Sequence, residues 1–183
     1  MNNVNAISKK KLSVKAQTLA TVTAIVSAVV LPQLFHLAGA AAGVGSALGE
    51  IFLPMHLPIL LVGLFAGPYA GAIAGVLAPA VSFLLTSMPS QVMLPFIMIE
   101  LCSYGLFCGL MRSSKLPTAL KVVIAQLAGR AVRAVAILVA VHFFESTVNA
   151  SVIWNSIVTG LVGIALQLVI IPLAVYRLDA LEK

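Results

Sequence analysis

Long apolar stretches interrupted by brief polar breaks dominate this chain, and their lengths define its elements. Apolar segments run over about 14–37, 55–67, 69–87, 91–111, 118–144 and 152–176. Most approach the roughly 20 residues that a helix needs to cross a hydrocarbon core about 30 Å thick. Backbone groups in lipid must be satisfied within the segment, so each stretch is predicted to be a helix. A membrane barrel would instead show short alternating segments, and none is present. The second segment is the shortest, and only Gly67-Pro68 separates it from the third. A tilted or broken span is the natural reading there. The longest connection, 38–54, is rich in Ala and Gly and closes on Glu50 and Pro54. Such a loop reads equally as a functional lid or as a linker.

Composition agrees with this pattern. Of 183 residues, 61% are hydrophobic and 9% charged, against roughly 25% charged in a soluble domain. The expected fold is an all-α membrane protein, a single domain over 1–183 built as a bundle of six transmembrane helices. Lys9, Lys10 and Lys11 ahead of an apolar run and the small residues at 38–43 resemble a signal peptide. The run is long for one, so it is read as the first span.

Charge placement sets the orientation. Lys9, Lys10, Lys11 and Lys15 precede the first span; Arg112, Lys115 and Lys121 flank the fourth connection; Arg177 and Lys183 follow the last. The segments 38–54, 88–90 and 145–151 contain no Lys or Arg. With six spans all three basic groups fall on one side, and the positive-inside rule makes both termini, 1–13 and 177–183, cytoplasmic. The net charge of +6 therefore marks membrane boundaries and gives no surface for nucleic acid.

Two features carry candidate chemistry. Ala16, Ala20, Ala24 and Ala28 recur every four residues on the first span, a face that admits close approach of another helix, either within the bundle or from a partner subunit. Gly63, Gly67, Gly71 and Gly75 repeat that spacing across the second and third segments, where internal packing is the reading. The second feature is charge inside the spans: Glu100 in the fourth, and Arg130 and Arg133 on one face of the fifth. Charges at such depth pair or line a pathway. Glu100 can neutralise one arginine, leaving the other for an anionic ligand group or a carbonyl, and Arg133→Ala is expected to abolish ligand binding in a protein that still folds. His56, Gln91, Tyr104 and Asn155 lie where they could complete a pocket. His36, His56 and His142 stand near the outer ends of separate spans, where they are expected to be solvated or interfacial and suggest no metal site, and Cys102 and Cys108 have neither metal nor redox spacing. No P-loop, G-x-S-x-G or H-E-x-x-H occurs, and five acidic residues leave little for hydrolytic chemistry, so neither an enzyme nor a resident cofactor is expected.

The residues also resemble a known family. Six short spans, the alanine repeat and the wording Phe52-Leu53-Pro54-Met55-His56-Leu57-Pro58, Gly63-Leu64-Phe65-Ala66-Gly67-Pro68, Gly71, Gly75, Pro79 and Ser82-Phe83-Leu84-Leu85-Thr86 are similar to substrate-binding S components of energy-coupling factor (ECF) vitamin transporters. The resemblance implies a plasma-membrane subunit that captures a vitamin outside and delivers it inward with a T component and two ATPases. It implies docking of the T component on Ala16, Ala20, Ala24 and Ala28. It places substrate between the loop 38–54, the stretch Thr86 to Gln91, and the region of Glu100, Arg130, Arg133 and Asn155. The stretch Phe52–Pro58 leans toward cobalamin, with pantothenate, a pyridoxine-type vitamin and folate as alternatives. The rival readings are a self-sufficient secondary transporter or channel, and a ligand-free assembly protein.

Overall fold

The computed structural model describes residues 12–144 and 147–181, with side chains to Arg177; Lys9, Lys10, Lys11, Glu182 and Lys183 lie outside the described residues. Every regular element among the described residues is an α-helix: α1 (Val14–Ala41), α2 (Ala47–Phe52), α3 (His56–Ala66), α4 (Pro68–Thr86), α5 (Leu94–Leu110), α6 (Thr118–Phe143), α7 (Ser151–Thr159) and α8 (Leu161–Leu181).

Local chemistry explains most of the boundaries. Ser13 caps α1, its hydroxyl accepting the Ala16 amide at 3.3 Å, which satisfies one of the free donors of a first turn. Pro68 and Pro95 occupy first-turn positions of α4 and α5, where their missing N–H costs nothing. Gly67 separates α3 from α4 at φ 100°, a conformation open to glycine and strained for other residues. Leu53 and Ser87 end α2 and α4 in the left-handed region, at φ 49° and 57°.

α1, the run Ala47–Ala66, α4 and α6 are each long and apolar enough to cross a membrane. α7 and the apolar part of α8 together supply a fifth such segment, bent by 51°. α5, at 17 residues, is shorter than these. The fold is thus all-helical with four to five candidate spans among the described residues. Two sequence expectations change. The segment 152–176 is not one helix, because the chain breaks at Gly160. A side chain there would meet Leu53 Cδ1 at 2.8 Å and Arg130 Nη2 at 3.2 Å, so glycine lets α7 close over those groups. The connection 38–54 is also shorter than expected: α1 continues to Ala41, and α2 forms inside it.

The core lies among α1, α3, α4, α5, α6 and α8. Ile59, Leu60, Leu64, Ala74, Ala78, Leu101, Cys108, Val122 and Ala125 are fully buried. α4 and α5 approach to backbone contact, since a Cβ on Gly71 would run into Gly105, and one on Gly105 into Gly71. Small residues make such approach possible where lipid offers no hydrophobic drive for helix association. The alanine repeat contributes to this internal packing. Ala24 and Ala28 belong to the core and Ala20 packs against it, while Ala16 is half-buried nearer the N-terminal end. The resemblance had assigned all four to a partner, but the lower two of these faces, Ala24 and Ala28, are filled by the bundle itself.

Lys121 also departs from its expected place in a solvated loop. It is 2% exposed, and its Nζ donates to the Arg112 carbonyl at 3.1 Å. Its charge thereby sits at the C-terminal end of α5, where free carbonyls and the helix dipole favour a cation.

Candidate functional site

At the end of the bundle opposite the α3–α4 junction, the helices enclose a cavity of about 500 Å³. Its walls come from the C-terminal half of α1, from α2 and the turn after it, from the ends of α3, α4, α5 and α7 that meet there, and from the middle of α6. The volume falls within the roughly 300–1,000 Å³ of small-molecule sites. Most of the wall is apolar and soft: Met55, Met88, Met93, Pro54, Pro89 and Ile97 face it. Thioether side chains adapt to irregular or ring-shaped ligands at little cost.

The polar floor is built around Glu100, 1% exposed. Arg133 Nη1 donates to Glu100 Oε2 at 2.7 Å, and the Tyr104 hydroxyl donates to Glu100 Oε1 at 2.7 Å. Both carboxylate oxygens are therefore engaged. The helix spacing explains the second bond, because positions 100 and 104 share one face of α5. The His56 ring lies 5.5 Å from that of Tyr104, which joins the start of α3 to the same cluster. Gly129 makes room for Tyr104, since a Cβ there would strike its ring. Arg130, one helical step from Arg133, turns toward α7, where its Nη1 donates to the Ser156 carbonyl at 3.3 Å.

Glu100, Arg130, Arg133, His56 and Asn155 thus line one cavity. Tyr104 stands behind Glu100 and orients it without reaching the wall. Gln91 is exposed and does not line the cavity; it occupies the turn before α5, where polar side chains reach solvent. The expectation that His36 is a solvated or interfacial residue is corrected: it lines the wall beside Gln33, Ser46, Gly49 and Glu50, and its ring seats on Gly49. The alanine- and glycine-rich wording of 38–54 concealed these contacts. Only Glu50 and the length of the loop hinted at them.

Several buried polar atoms in the wall make no hydrogen bond. They are Arg130 Nε, Arg133 Nε, Gln33 Nε2, His36 Nδ1 and His56 Nδ1. Buried donors are normally paired, so their concentration around one cavity distinguishes it from the rest of the bundle. Among the described residues no group of His, Cys, Asp and Glu could hold a metal ion.

Behind the wall, a second polar chain crosses the apolar interior. Gln126 Nε2 donates to Gln167 Oε1 at 2.7 Å, and Gln167 Nε2 donates to the Leu53 carbonyl at 3.2 Å. α6 and α8 are thereby tied to the turn that closes the cavity at Leu53.

Comparison with protein families gives one match over most of the chain: a family model described as the ECF transporter substrate-specific component covers residues 14–175. Comparisons with curated proteins and with solved structures find no significant match.

Proposed function

Because the chain belongs to the family of ECF transporter substrate-specific components, which are transport subunits and not enzymes, we propose that the cavity around Glu100, Arg130 and Arg133 is where it captures a vitamin from outside the cell. The observation that carries this reading is the gathering of those charges with His56 and Asn155 around a single cavity of about 500 Å³. Charges inside a membrane bundle are costly and mark ligand sites or pathways.

The cavity end is also the end whose connections 38–54, 88–90 and 145–151 lack Lys and Arg. That distribution supports an outward-facing cavity, six passes counting α5 and the bent α7–α8 pair, and both termini in the cytoplasm. The volume supports a compact vitamin, on the scale of pantothenate or a pyridoxine-type vitamin, over the bulkier cobalamin that the wording of Phe52–Pro58 favours. Inward delivery then depends on a T component and two ATPases, in keeping with the missing P-loop. Of the alanine repeat, Ala16 and Ala20 at the cytoplasmic end of α1 are the positions left for docking the T component.

The test is native mass spectrometry of the purified protein after incubation with a mixture of water-soluble vitamins, followed by uptake in liposomes. Retention of one vitamin, with uptake only when the T component and ATPases are added, is the expected result. Uptake by this chain alone would overturn the assignment in favour of a self-sufficient transporter.

A further inference from the structure

Resting on that reading of the cavity, we propose that the substrate is a compact anion, bearing a carboxylate or phosphate on an apolar body, and that Arg130 is the residue that selects it. The polar floor holds two guanidinium groups against one buried carboxylate. Each oxygen of Glu100 already accepts one bond, Oε2 from Arg133 and Oε1 from Tyr104, and among the described residues no hydrogen bond joins it to Arg130. Among the described residues Arg130 faces no second carboxylate in the floor; the other acid of the wall, Glu50, is exposed on α2, with Ser46 as its hydrogen-bond partner at 3.5 Å. The glutamate–arginine pair recorded among the described residues is Glu100–Arg133. One positive charge therefore stays in excess at the base of a largely apolar cavity, and a charge removed from water calls for a counter-charge.

Hydrogen-bond capacity points the same way. Among the described residues the one hydrogen bond Arg130 makes is the 3.3 Å contact from Nη1 to the Ser156 carbonyl, although a guanidinium carries five N–H donors. Its Nε is unpaired, as are Arg133 Nε and Gln33 Nε2. The unmet capacity of this wall is mostly donor capacity, so the complementary ligand brings acceptors. Carboxylate and phosphate match a guanidinium best, because both accept its planar fork through two oxygens. Gly160 leaves room for Arg130 in this position: a Cβ there would lie 3.2 Å from its Nη2. Arg133, by contrast, is committed to Glu100 and holds α5 and α6 together.

Matched acid and neutral probes test this directly. Purified wild-type, Arg130→Lys and Arg130→Gln proteins are titrated with pantothenate against panthenol, nicotinate against nicotinamide, and pyridoxal 5′-phosphate against pyridoxal, alongside thiamine, riboflavin and biotin. Binding is read by native mass spectrometry and thermal shift. One acid-bearing probe is expected to bind about 10- to 100-fold tighter than its neutral partner. Arg130→Gln is expected to erase that preference, and Arg130→Lys to retain part of it. If Arg130→Gln does not fold, Arg130→Lys decides, through a reduced preference for the acid over its neutral partner. Equal binding of acid and neutral members, tighter binding of a neutral or cationic vitamin, or an undiminished preference in the variants overturns the anion assignment and leaves the vitamin site standing. Failure of every probe overturns the capture site itself, and this inference with it.

Discussion

Arg133 Nη1 sits 2.7 Å from Glu100 Oε2, an ion pair that joins α5 to α6 in the apolar interior. Breaking a buried pair strands the remaining charge and costs about 3–5 kcal/mol. Glu100→Gln and Arg133→Ala are each expected to lower the thermal midpoint of the detergent-purified protein, whereas Glu100→Leu with Arg133→Met restores it. Arg133→Ala is thus expected to cost stability as well as binding, where the sequence left a ligand site and a structural ion pair both open. A single variant as stable as wild type would show that the pair does not join the two helices.

At the α4–α5 contact, Gly71 and Gly105 leave no room for a side chain. Gly105→Val should separate the helices and destabilise by about 1–3 kcal/mol or more, as overpacking does. Gly43, with open space around it but φ 74°, offers a contrast: Gly43→Ala introduces backbone strain without a clash. Thermal unfolding of the two variants, followed by light scattering, should place Gly105→Val well below Gly43→Ala. The reverse order would contradict the packing described here.

On the proposed function, the alanine repeat serves internal packing at Ala24 and Ala28 and partner docking at Ala16 and Ala20, and substitution separates the two. Ala28 is fully buried, so Ala28→Leu overfills the core and lowers the stability of the isolated protein by about 1–3 kcal/mol. Ala16 is only half-buried, and Ala16→Leu is expected to change that stability by at most about 0.5 kcal/mol while weakening co-purification with the T component. Intact co-purification of Ala16→Leu would remove the proposed docking surface.

Gln167 bonds both Gln126 and the Leu53 carbonyl. Gln167→Leu leaves the buried Gln126 amide unsatisfied, at about 1–3 kcal/mol, and removes one of the two bonds to the Leu53 carbonyl, which keeps the His56 amide at 3.1 Å. Hydrogen exchange should accelerate at the Leu53 turn, and Gln126→Leu in the same protein should recover part of the lost stability. Unchanged exchange at 51–56 would mean that the chain of glutamines does not hold the turn.

Orientation is checked with single cysteines in a protein whose Cys102 and Cys108 are replaced. Ser114→Cys is expected to react with a membrane-impermeant thiol reagent only from the cytoplasmic side, and Asn149→Cys only from outside. Labelling of both from one side would refute the even number of passes.

Hydropathy made most of the helices legible, because lipid demands an apolar, internally bonded segment whatever its tertiary neighbours. It missed the break at Gly160, since Thr159 is the one polar residue from Val158 to Gly163 and Gly160 lies where Leu53 and Arg130 approach closely. It also missed α2, a six-residue helix too short to impose a periodicity. Glu100, Arg130 and Arg133 stood out in sequence because charge is rare in such segments. Which arginine Glu100 takes was not legible: positions 130 and 133 lie on one face, and the partner is fixed by how α5 and α6 pack. Gln91 looked equivalent to Asn155 in sequence, yet in the turn before α5 it is exposed while its neighbours Ser90 and Met93 line the cavity. The link from Gln167 to Leu53 spans 114 residues, a separation that no local pattern reveals.

α2 touches α1 on one side and α7 and α8 on the other, and Gly163 lets the backbone of Phe52 settle directly against α8. This short helix is therefore a clasp between the early and late parts of the chain, and Ser46, Gly49 and Glu50 on it face the cavity. On the function proposed above, a vitamin held beside α2 would meet this clasp if it left on that side. Residence time, set by the off-rate more than by the encounter rate, is then the quantity that substitutions at Gly49 or Gly163 change first.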